Sequence, residues 1–439
     1  MPSSLPTLVA FFDHTAKWGG GEVSLFHLVI HLDRRRYEPV VILGEDGPLR
    51  EKFSRVGVEV HVLPLASEVG EVRKDSLTGT RAVGLKQVGS IALYAWRLSR
   101  FLRARGAVFL HTNSLKSDLI GAVAARLAGI PVLWHVRDRI ADDYLPARAA
   151  QGFRLACRFL PSCVIANSQA TLDTLHLPPS WKASVVYNGV VHDGLPPLPE
   201  QGSDASVPDA NAPDAPVMAL VGRISPWKGQ DIFLRAAAQI VREFPRARFQ
   251  IIGAPLFGED DWHAHLRALC TELGLDDNVE WLGFRSDVPA LVARCDVFVH
   301  ASITGEPFGQ VVVEAMLAAK PVVATRGGGV PEIVRDGETG VLVPMGDADA
   351  MARAVLGLLR DPDAARAMGR RGWERAHESF LITHTVARIQ NIFGRLVART
   401  RRQRAERSGL LLVLSALSLG AWLVSQQSER QSQKLKNKA

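Results

Sequence analysis

Short apolar runs alternate along this chain with longer segments whose apolar residues recur at helical spacing. In the first half, the runs predict strands at Leu5–Phe12, Pro39–Leu43, Val58–Leu63, Val108–His111, Val132–Val136 and Cys163–Ala166. In the second half, they predict strands at Val217–Val221, Phe249–Gly253, Val279–Leu282, Val297–Ala301, Val322–Thr325 and Gly340–Val343. Because strands that alternate with helices form parallel, doubly wound sheets, we expect an α/β protein with two Rossmann-like domains.

The alternation is interrupted between Leu195 and Val217 by a segment rich in proline, aspartate and alanine that has little to bury. We therefore predict a first domain over residues 1–195, a linker over residues 196–216 and a second domain over residues 217–398. A basic and hydrophobic tail at residues 399–439 completes the chain, and it stays open whether the last helix of the second domain crosses back to the first.

Composition narrows the class of protein. Of 439 residues, 47% are apolar and 22% are charged, which excludes wholesale disorder. The net charge of +7 comes from dispersed basic residues without interleaved aromatic residues, so no nucleic-acid partner is expected. The four cysteines lack CxxC spacing, and the first apolar run lacks preceding basic residues. These features favour a reducing cytosol over secretion.

The most specific chemistry lies within residues 300–332. Glu306 and Glu314 are eight residues apart, and Gly309 lets the backbone turn between them before a predicted helix. One carboxylate then lies at the helix N-terminus and the other lies inside the helix. Carboxylates accept paired hydrogen bonds from vicinal hydroxyls, so this pair could hold both sugars of one nucleotide-sugar.

Two cations bracket a glycine-ended turn at the start of the second domain. Arg223 and Lys228 follow the strand Val217–Val221 and precede a predicted helix. Fixed cations at such a junction can neutralise a diphosphate and stabilise its departure. The alternative is that they cover a solvated turn, and we prefer the first interpretation because the pair is in register with the Glu306 region.

The first domain offers weaker candidates. Gly20 and Gly21 lie in a glycine loop between strand and helix, where backbone N–H groups can approach an anion. A tight turn that needs positive φ explains the glycines equally well. His135 closes an apolar strand and could donate to a phosphate or sugar oxygen, or be structural. Other residues at predicted strand ends are His14, His111, Thr112, Asn113, Arg137, Asp138, Asn167, Ser168, Asn188 and Gly189.

Two Asp-x-Asp sequences raise the question of a metal. Asp347 and Asp361 each begin such a sequence, but each also precedes a helical segment, where aspartate is an ordinary capping residue. We predict capping and no metal, because Arg223 and Lys228 already provide the counter-charge for a diphosphate.

Taken together, these motifs resemble glycosyltransferase family 4, a group 1 family of retaining enzymes with the GT-B fold of two Rossmann-like domains facing a cleft. The resemblance covers about residues 5–398 and is most specific in the Gly222-Arg223 and Lys228-Gly229 pairs, the two glutamates, and GGGVPEIVRDGETGVLVP. Ala319 departs from it, because the family commonly has glycine there.

The resemblance implies a role for each motif. Arg223 and Lys228 would grip the diphosphate, Glu314 the ribose hydroxyls, and Glu306 the transferred sugar. The implied catalytic residues are His135, Glu306, Arg223 and Lys228; the implied donor-binding residues are Gly20, Gly21, Arg223, Lys228, Glu306, Phe308, Gly309 and Glu314. No cofactor or metal is implied, and a UDP- or GDP-linked sugar is the expected co-substrate.

The tail carries an uncharged run at residues 409–424. As a helix it would span about 24 Å, short of the roughly 30 Å hydrocarbon core, so a membrane anchor and a helix packed on a lobe both remain open. Arginines precede the run closely, which places the lobes on the cytoplasmic face of the membrane if it is an anchor. The acceptor would then be lipid-linked.

We therefore expect a retaining glycosyltransferase that acts on a glycan or lipid-linked acceptor in cell-envelope polysaccharide or glycolipid synthesis. A nucleotide-sugar epimerase or hydrolase of the same fold is one alternative. A non-catalytic nucleotide-sugar-binding scaffold is the other.

Overall fold

A computed structural model describes residues 5–66, 85–142, 145–179, 182–192, 215–256, 258–400 and 402. The described residues contain two parallel sheets, each flanked by helices. The first sheet and its helices belong to the first lobe of the molecule, and the second sheet and its helices to the second lobe.

The first lobe alternates strands and helices as its apolar pattern predicts. Its strands are β1 (Thr7–Asp13), β2 (Tyr37–Leu43), β3 (Glu59–Val62), β4 (Phe109–Thr112), β5 (Val132–Val136), β6 (Cys163–Ala166) and β7 (Ala183–Val185). Its helices are α1 (Gly20–Ile30), α2 (Pro48–Arg55), α3 (Leu85–Ala104), α4 (Leu115–Ala128), α5 (Ala147–Phe159) and α6 (Gln169–Asp173). The sheet has the order β3-β2-β1-β4-β5-β6-β7, with every pair parallel.

The second lobe repeats this plan. Its strands are β8 (Val217–Val221), β9 (Arg248–Ile252), β10 (Val279–Gly283), β11 (Val297–His300), β12 (Val322–Thr325) and β13 (Val341–Val343). Its helices are α7 (Gln230–Ile240), α8 (Asp260–Glu272), α9 (Val288–Arg294), α10 (Gln310–Leu317), α11 (Val330–Ile333), α12 (Ala348–Arg360) and α13 (Pro362–Ser379). Residues 382–400 are also helical. The sheet order is β10-β9-β8-β11-β12-β13.

Both sheets are therefore doubly wound, and the predicted fold class is confirmed. The strand order reverses between β1 and β4 in the first lobe and between β8 and β11 in the second. Ligands of such sheets bind outside the carboxyl ends of the strands at the point of reversal. The residues that follow β1, β4, β8 and β11 are therefore the first places to look for a site.

Several predicted features fall outside or beside the described ranges. Residues 193–214, which make up most of the predicted linker, and the apolar run at residues 409–424 lie outside them. Next to the linker, Val190 packs in the apolar core of the second lobe, and its N–H donates to Phe380 O at 2.9 Å. Across the ranges that are described, none of the helices combines the length and apolar character needed to cross a membrane.

The two Asp-x-Asp sequences cap helices. The Asp347 carboxylate accepts the Ala350 N–H at 2.8 Å, and the Asp361 carboxylate accepts the Ala364 N–H at 3.0 Å. Each aspartate thus satisfies a backbone donor in the first turn of α12 or α13, the ordinary use of this residue type. The capping interpretation is confirmed.

Candidate active site

A buried ion pair of the second lobe lies just beyond β11. Glu306, only 8% exposed, accepts a hydrogen bond from Lys228 Nζ at 2.5 Å and another from Ser302 Oγ at 2.7 Å. His300 Nε2 lies 3.3 Å from the same oxygen, Oε1. Burial alone would raise the pKa of Glu306, but Lys228 and His300 together hold it well below the ordinary value. Glu306 is therefore a carboxylate at neutral pH.

Glycines shape the loop that carries Glu306. Gly309 ends the loop at φ +109° and begins α10, which a residue with a side chain would do only under strain. Gly328, at φ +58°, lies so close that a Cβ would be 1.9 Å from Glu306 O. The next residue, Gly329, donates its N–H to that oxygen at 2.8 Å. The triple-glycine turn thus lies against the Glu306 loop.

Arg223 and Lys228 border one indole ring. Lys228 Nζ lies 4.4 Å from the ring centroid of Trp227, and Arg223 Cζ lies 5.8 Å from it. Arg223 also pairs with Glu259, with Nε 3.4 Å from Oε2. Both cations follow β8, at the point where the strand order reverses. The structure thus places the two predicted diphosphate ligands around one indole ring, and Lys228 also pairs with Glu306.

Glu314 lies inside α10 and reaches toward the first lobe through one intermediate residue. Its Oε1 accepts a bond from Gln310 Nε2 at 3.3 Å, and Gln310 Oε1 accepts a bond from Ser24 Oγ of α1 at 3.2 Å. Burial raises the pKa of Glu314 to about 7, although the Gln310 bond lowers it in part. The carboxylate is therefore half ionised near neutral pH and could be fully ionised by a ligand that donates hydrogen bonds to it.

The glycine loop of the first lobe does not form the tight turn that we considered. Gly19 has extended backbone angles, α1 begins at Gly20, and Gly19, Gly20 and Gly21 all lack positive φ. No described atom lies within 4 Å of a Cβ built on Gly20, whereas one on Gly21 would touch Arg137 and Asn113. The backbone at the start of α1 is therefore open at Gly20.

His135 is the centre of a buried polar network. Its Nδ1 lies 3.1 Å from His111 Nε2 and 3.2 Å from an Arg137 guanidinium nitrogen. Burial, with the charge of Arg137, holds the pKa of His135 well below its ordinary value. Because arginine can only donate, Nδ1 is the acceptor and the proton of the neutral ring is on Nε2. Nε2 is buried and has no hydrogen-bond partner among the described residues, so its proton is unused within them.

Arg137 ties this network to the neighbouring strand ends. Its Nε donates to Asn113 Oδ1 at 2.8 Å, and another nitrogen donates to Asn188 Oδ1. Asn113 Nδ2 in turn donates to Asp13 Oδ2 at 2.7 Å and to Gly21 O at 3.2 Å. The polar strand ends of the first lobe and the glycine loop therefore form one connected cluster.

Phe308 is placed differently from the other predicted donor-binding residues. It is 2% exposed, and its ring stacks on Tyr187 with centroids 5.8 Å apart and meets the edge of Phe380. Its side chain thus contributes to the core of the second lobe. Any contact between Phe308 and a donor has to come from its backbone.

Four site residues went unpredicted. Asp13 and His300 end β1 and β11, so the rule that led to His135 was sufficient to find them. Glu22 lies in the first turn of α1, where burial and the charge of Asp13 raise its pKa to about 8. Ser302, which binds Glu306, had no signal in the sequence beyond its place in the loop. Across the described residues there is no group of three or more metal-ligating side chains.

Comparison with known proteins places both lobes in one family. The family profile "Glycosyl transferases group 1" matches residues 205–375, and "Glycosyl transferase 4-like domain" matches residues 19–189. The D-inositol 3-phosphate glycosyltransferase 2 of Catenulispora acidiphila is 32% identical over 312 residues, which cover 67% of this chain and 72% of that protein.

Another relative and a solved structure extend the comparison. The GDP-mannose-dependent alpha-(1-6)-phosphatidylinositol monomannoside mannosyltransferase of Mycolicibacterium smegmatis is 35% identical over 222 residues, 47% of this chain. In that relative and two others, the match spans about half of the protein, from 40% to 57% of its length. The crystal structure of Anabaena HepE in complex with UDP and glucose has a TM-score of 0.75 and 27% identity, over 88% of this chain and 99% of that chain.

Proposed function

This chain belongs to the group 1 glycosyltransferases and has their GT-B fold, and we propose that it transfers a sugar from a nucleoside-diphosphate sugar to a hydroxyl group with retention of anomeric configuration. The observation that carries the proposal is the Lys228–Glu306 pair. An ionised, buried carboxylate and a cation meet at the switch point of the second sheet, beside a second cation, Arg223. That is the charge pattern a sugar diphosphate requires.

Each side chain of the second lobe has a proposed role. Arg223 and Lys228 bind the diphosphate and neutralise the charge that grows as it departs. Glu314 accepts hydrogen bonds from the ribose hydroxyls, which favours its ionised form. Glu306 positions the transferred sugar and stabilises the positive charge that develops on its ring.

The first lobe supplies a donor of hydrogen bonds. In our proposal, the neutral His135 ring donates its Nε2 proton to an oxygen of the sugar or phosphate. Gly20 and Gly21 present the open start of α1 to the same ligand, where backbone N–H groups favour an anion.

The proposed reaction takes place on one face of the sugar. The bond between the anomeric carbon and the phosphate oxygen breaks, and the acceptor oxygen bonds to the same face of that carbon. The acceptor hydroxyl loses its proton to the departing phosphate, so no additional base is needed. We propose that no metal takes part, since Arg223 and Lys228 neutralise the leaving group.

We propose the chemical classes of the donor and acceptor by analogy with the similar proteins. Relatives and neighbours with printed ligands involve GDP-mannose, UDP or UDP-glucose, which supports a UDP- or GDP-linked sugar. The M. smegmatis relative is named for a phosphatidylinositol mannoside, which supports a lipid-linked or glycan acceptor of the cell envelope. We propose that the protein works in the cytoplasm and is held at the membrane by residues 409–424.

The test begins with nucleotide binding to the full chain. Thermal shifts are measured with UDP, GDP, ADP, CMP, UDP-glucose and GDP-mannose, with and without EDTA, and repeated with Glu314→Ala. A ligand at a hundred times its Kd stabilises by about 2.7 kcal/mol, which is readily measured. We expect one nucleotide to give a shift that resists EDTA and is lost in the variant.

Product analysis with that donor and a panel of glycan and lipid acceptors then separates the alternatives. A glycoside with the donor's anomeric configuration supports the proposal, and an inverted product contradicts retention. Release of free sugar or of an epimer without any transfer would favour a hydrolase or epimerase. Tight binding without turnover would favour a scaffold.

A further inference from the structure

The loop that carries Glu306 is held from the opposite side by the first lobe. An Arg139 guanidinium nitrogen, in the segment after β5, donates to Gly305 O at 3.1 Å. Ser168 Oγ and Thr171 Oγ1, at the start of α6, both donate to Pro307 O, at 2.5 Å and 3.1 Å. The carbonyl on each side of Glu306 is therefore bound by a side chain of the other lobe.

The hydrogen-bond roles in this contact follow from the chemistry. Ser168 Oγ accepts the Thr171 N–H at 2.9 Å as the cap of α6, so its own proton is available for Pro307 O. A carbonyl oxygen has two lone pairs and can accept both hydroxyls. Ser168 and Thr171 are fully buried, so neither bond is exchanged easily for water.

A carboxylate of the second lobe strengthens the same interface without contacting the loop. Glu332 accepts the N–H of Gln169 and the N–H of Ala170, each at 2.8 Å. Glu332 thus caps α6 across the interface. It provides a natural comparison, because it joins the same two lobes but does not bind the Glu306 loop.

The loop is held by both lobes, at different atoms. On its own lobe it is fixed at Glu306 O, which accepts the Gly329 N–H. At Gly305, a Cβ would lie 2.8 Å from Gly328 N and 3.0 Å from Arg139 Nη1, so the backbone is packed between the two lobes. If the lobes part, the carbonyls of Gly305 and Pro307 lose these partners, while Glu306 remains attached to Lys228.

We propose that Arg139, Ser168 and Thr171 are positioning residues for Glu306, so that the catalytic carboxylate reaches its working place only when the two lobes are together. The inference rests on the proposed transferase function. It adds that closure of the lobes sets the geometry of the reacting sugar as well as excluding water. A shift of about 1 Å at a reacting centre can cost about a hundredfold in rate.

The test compares two ways of weakening the same interface in the full chain. Ser168→Ala/Thr171→Val removes both hydroxyls from Pro307 O, and Thr171→Val alone removes one with little change in volume. Glu332→Gln weakens the contact beside them. For each variant we measure the Tm, kcat and donor KM with UDP-glucose and GDP-mannose, and lobe separation by small-angle X-ray scattering.

We expect Ser168→Ala/Thr171→Val to lower kcat about ten- to a hundredfold, with donor KM changed less than about threefold because the diphosphate and ribose ligands lie on the second lobe. Thr171→Val alone should lower kcat less, and Thr171→Ser should restore it. Where Glu332→Gln and the double variant lower the Tm equally, Glu332→Gln should lower kcat much less than the double variant does.

Equal loss of kcat in Glu332→Gln and in the double variant would overturn the proposal, since the contacts would then only dock the lobes. Unchanged kcat in the double variant would overturn it too. If the unmodified chain consumes neither donor in the presence of acceptors, the proposed function itself fails, a result distinct from an active wild type with active variants.

Discussion

Removal of Lys228 should leave Glu306 as a buried and largely uncompensated carboxylate. The ammonium and carboxylate are 2.5 Å apart, and their side chains are only 16% and 10% exposed. At an effective dielectric constant of about 20, the attraction is roughly 7 kcal/mol, most of which offsets desolvation. Breaking such a pair from one side costs about 3–5 kcal/mol. We expect Lys228→Ala to lower the Tm by an amount on the order of 10 °C.

The loss should depend on pH in a defined direction. The pKa of Glu306 lies well below its ordinary value, so its ion pair contributes stability above about pH 4.5 and loses it as the pH falls. Without Lys228, burial raises the pKa, and the carboxyl takes up a proton more readily. The difference in Tm between wild type and Lys228→Ala should therefore be larger at pH 7.5 than at pH 4, where the carboxyl of the variant is protonated and that of the wild type is still ionised.

A double-mutant cycle and a matched lysine make the experiment specific. Lys228→Ala/Glu306→Gln should recover most of the lost stability, because the unpaired charge is gone. Lys52 lies over Trp18 at 4.3 Å, as Lys228 lies over Trp227 at 4.4 Å, but within the described ranges it forms no ion pair with a carboxylate. Lys52→Ala should cost less than about 1 kcal/mol.

The assay for activity is release of nucleoside diphosphate during transfer. Lys228→Ala should lower kcat/KM by at least about a hundredfold, with a fall in kcat itself, because the charge of the leaving group is greatest in the transition state. Near-normal turnover would refute the role of Lys228. A double variant as unstable as the sum of the two single variants would refute the pairing argument.

Three further changes test other parts of the structure. Because the pKa of Glu314 is raised to about 7, its ionisation lowers the free energy of unfolding as the pH rises from 4.5 to 7, by about 3 kcal/mol in all. Glu314→Gln should therefore have a higher Tm than the wild type at pH 8 and the same Tm at pH 4. In calorimetry it should bind nucleotide more weakly than the wild type. Ala319 has φ +55°, so Ala319→Gly should raise the free energy of unfolding in urea by up to about 1 kcal/mol, and a lower value would contradict this explanation. Gly229 has φ +69°, and a Cβ there would lie 2.0 Å from Ala301 O. Gly229→Ala should therefore lower the free energy of unfolding by more than about 2 kcal/mol and impair turnover. A stable, active variant would contradict the role of this turn.

Ala319 shows that one position in a motif can depend on a backbone conformation that the sequence alone does not reveal. The sequence shows only an alanine where the family that it resembles commonly has glycine. The structure explains the preference for glycine, because the backbone there is left-handed and most favourable without a Cβ. A residue that takes no part in the reaction can thus still lower stability through its backbone conformation.

Apolar pattern predicted the strands more accurately than the helix ends. β5, β6, β8 and β12 have the predicted bounds, because each is a buried apolar run between polar residues. α1 begins at Gly20, three residues before Val23, its first apolar residue, so the apolar pattern alone does not mark its start. β7 went unpredicted because it is a short, half-buried edge strand.

The sequence did not predict the contacts between the lobes. The motif around Glu306 indicates a ligand site, but it cannot tell which atoms face the other lobe. Ser168 was visible as a strand-end residue, and Pro307 as part of a turn, yet their hydrogen bond joins positions 139 residues apart. Such a pairing depends on how two separately folded sheets meet, which no local pattern encodes.

The distribution of charge between the two lobes indicates how the proposed nucleotide-sugar donor is oriented when it binds. The second lobe presents Arg223 and Lys228 after its strand β8, whereas the first lobe gathers the carboxyl groups of Asp13, Glu22 and Asp118 around the buried guanidinium of Arg137. Burial and the neighbouring Asp13 charge raise the pKa of Glu22 to about 8, so this cluster already resists negative charge. This distribution favours a diphosphate on the second lobe, and our proposal then has the uncharged sugar extend toward His135, a neutral hydrogen-bond donor.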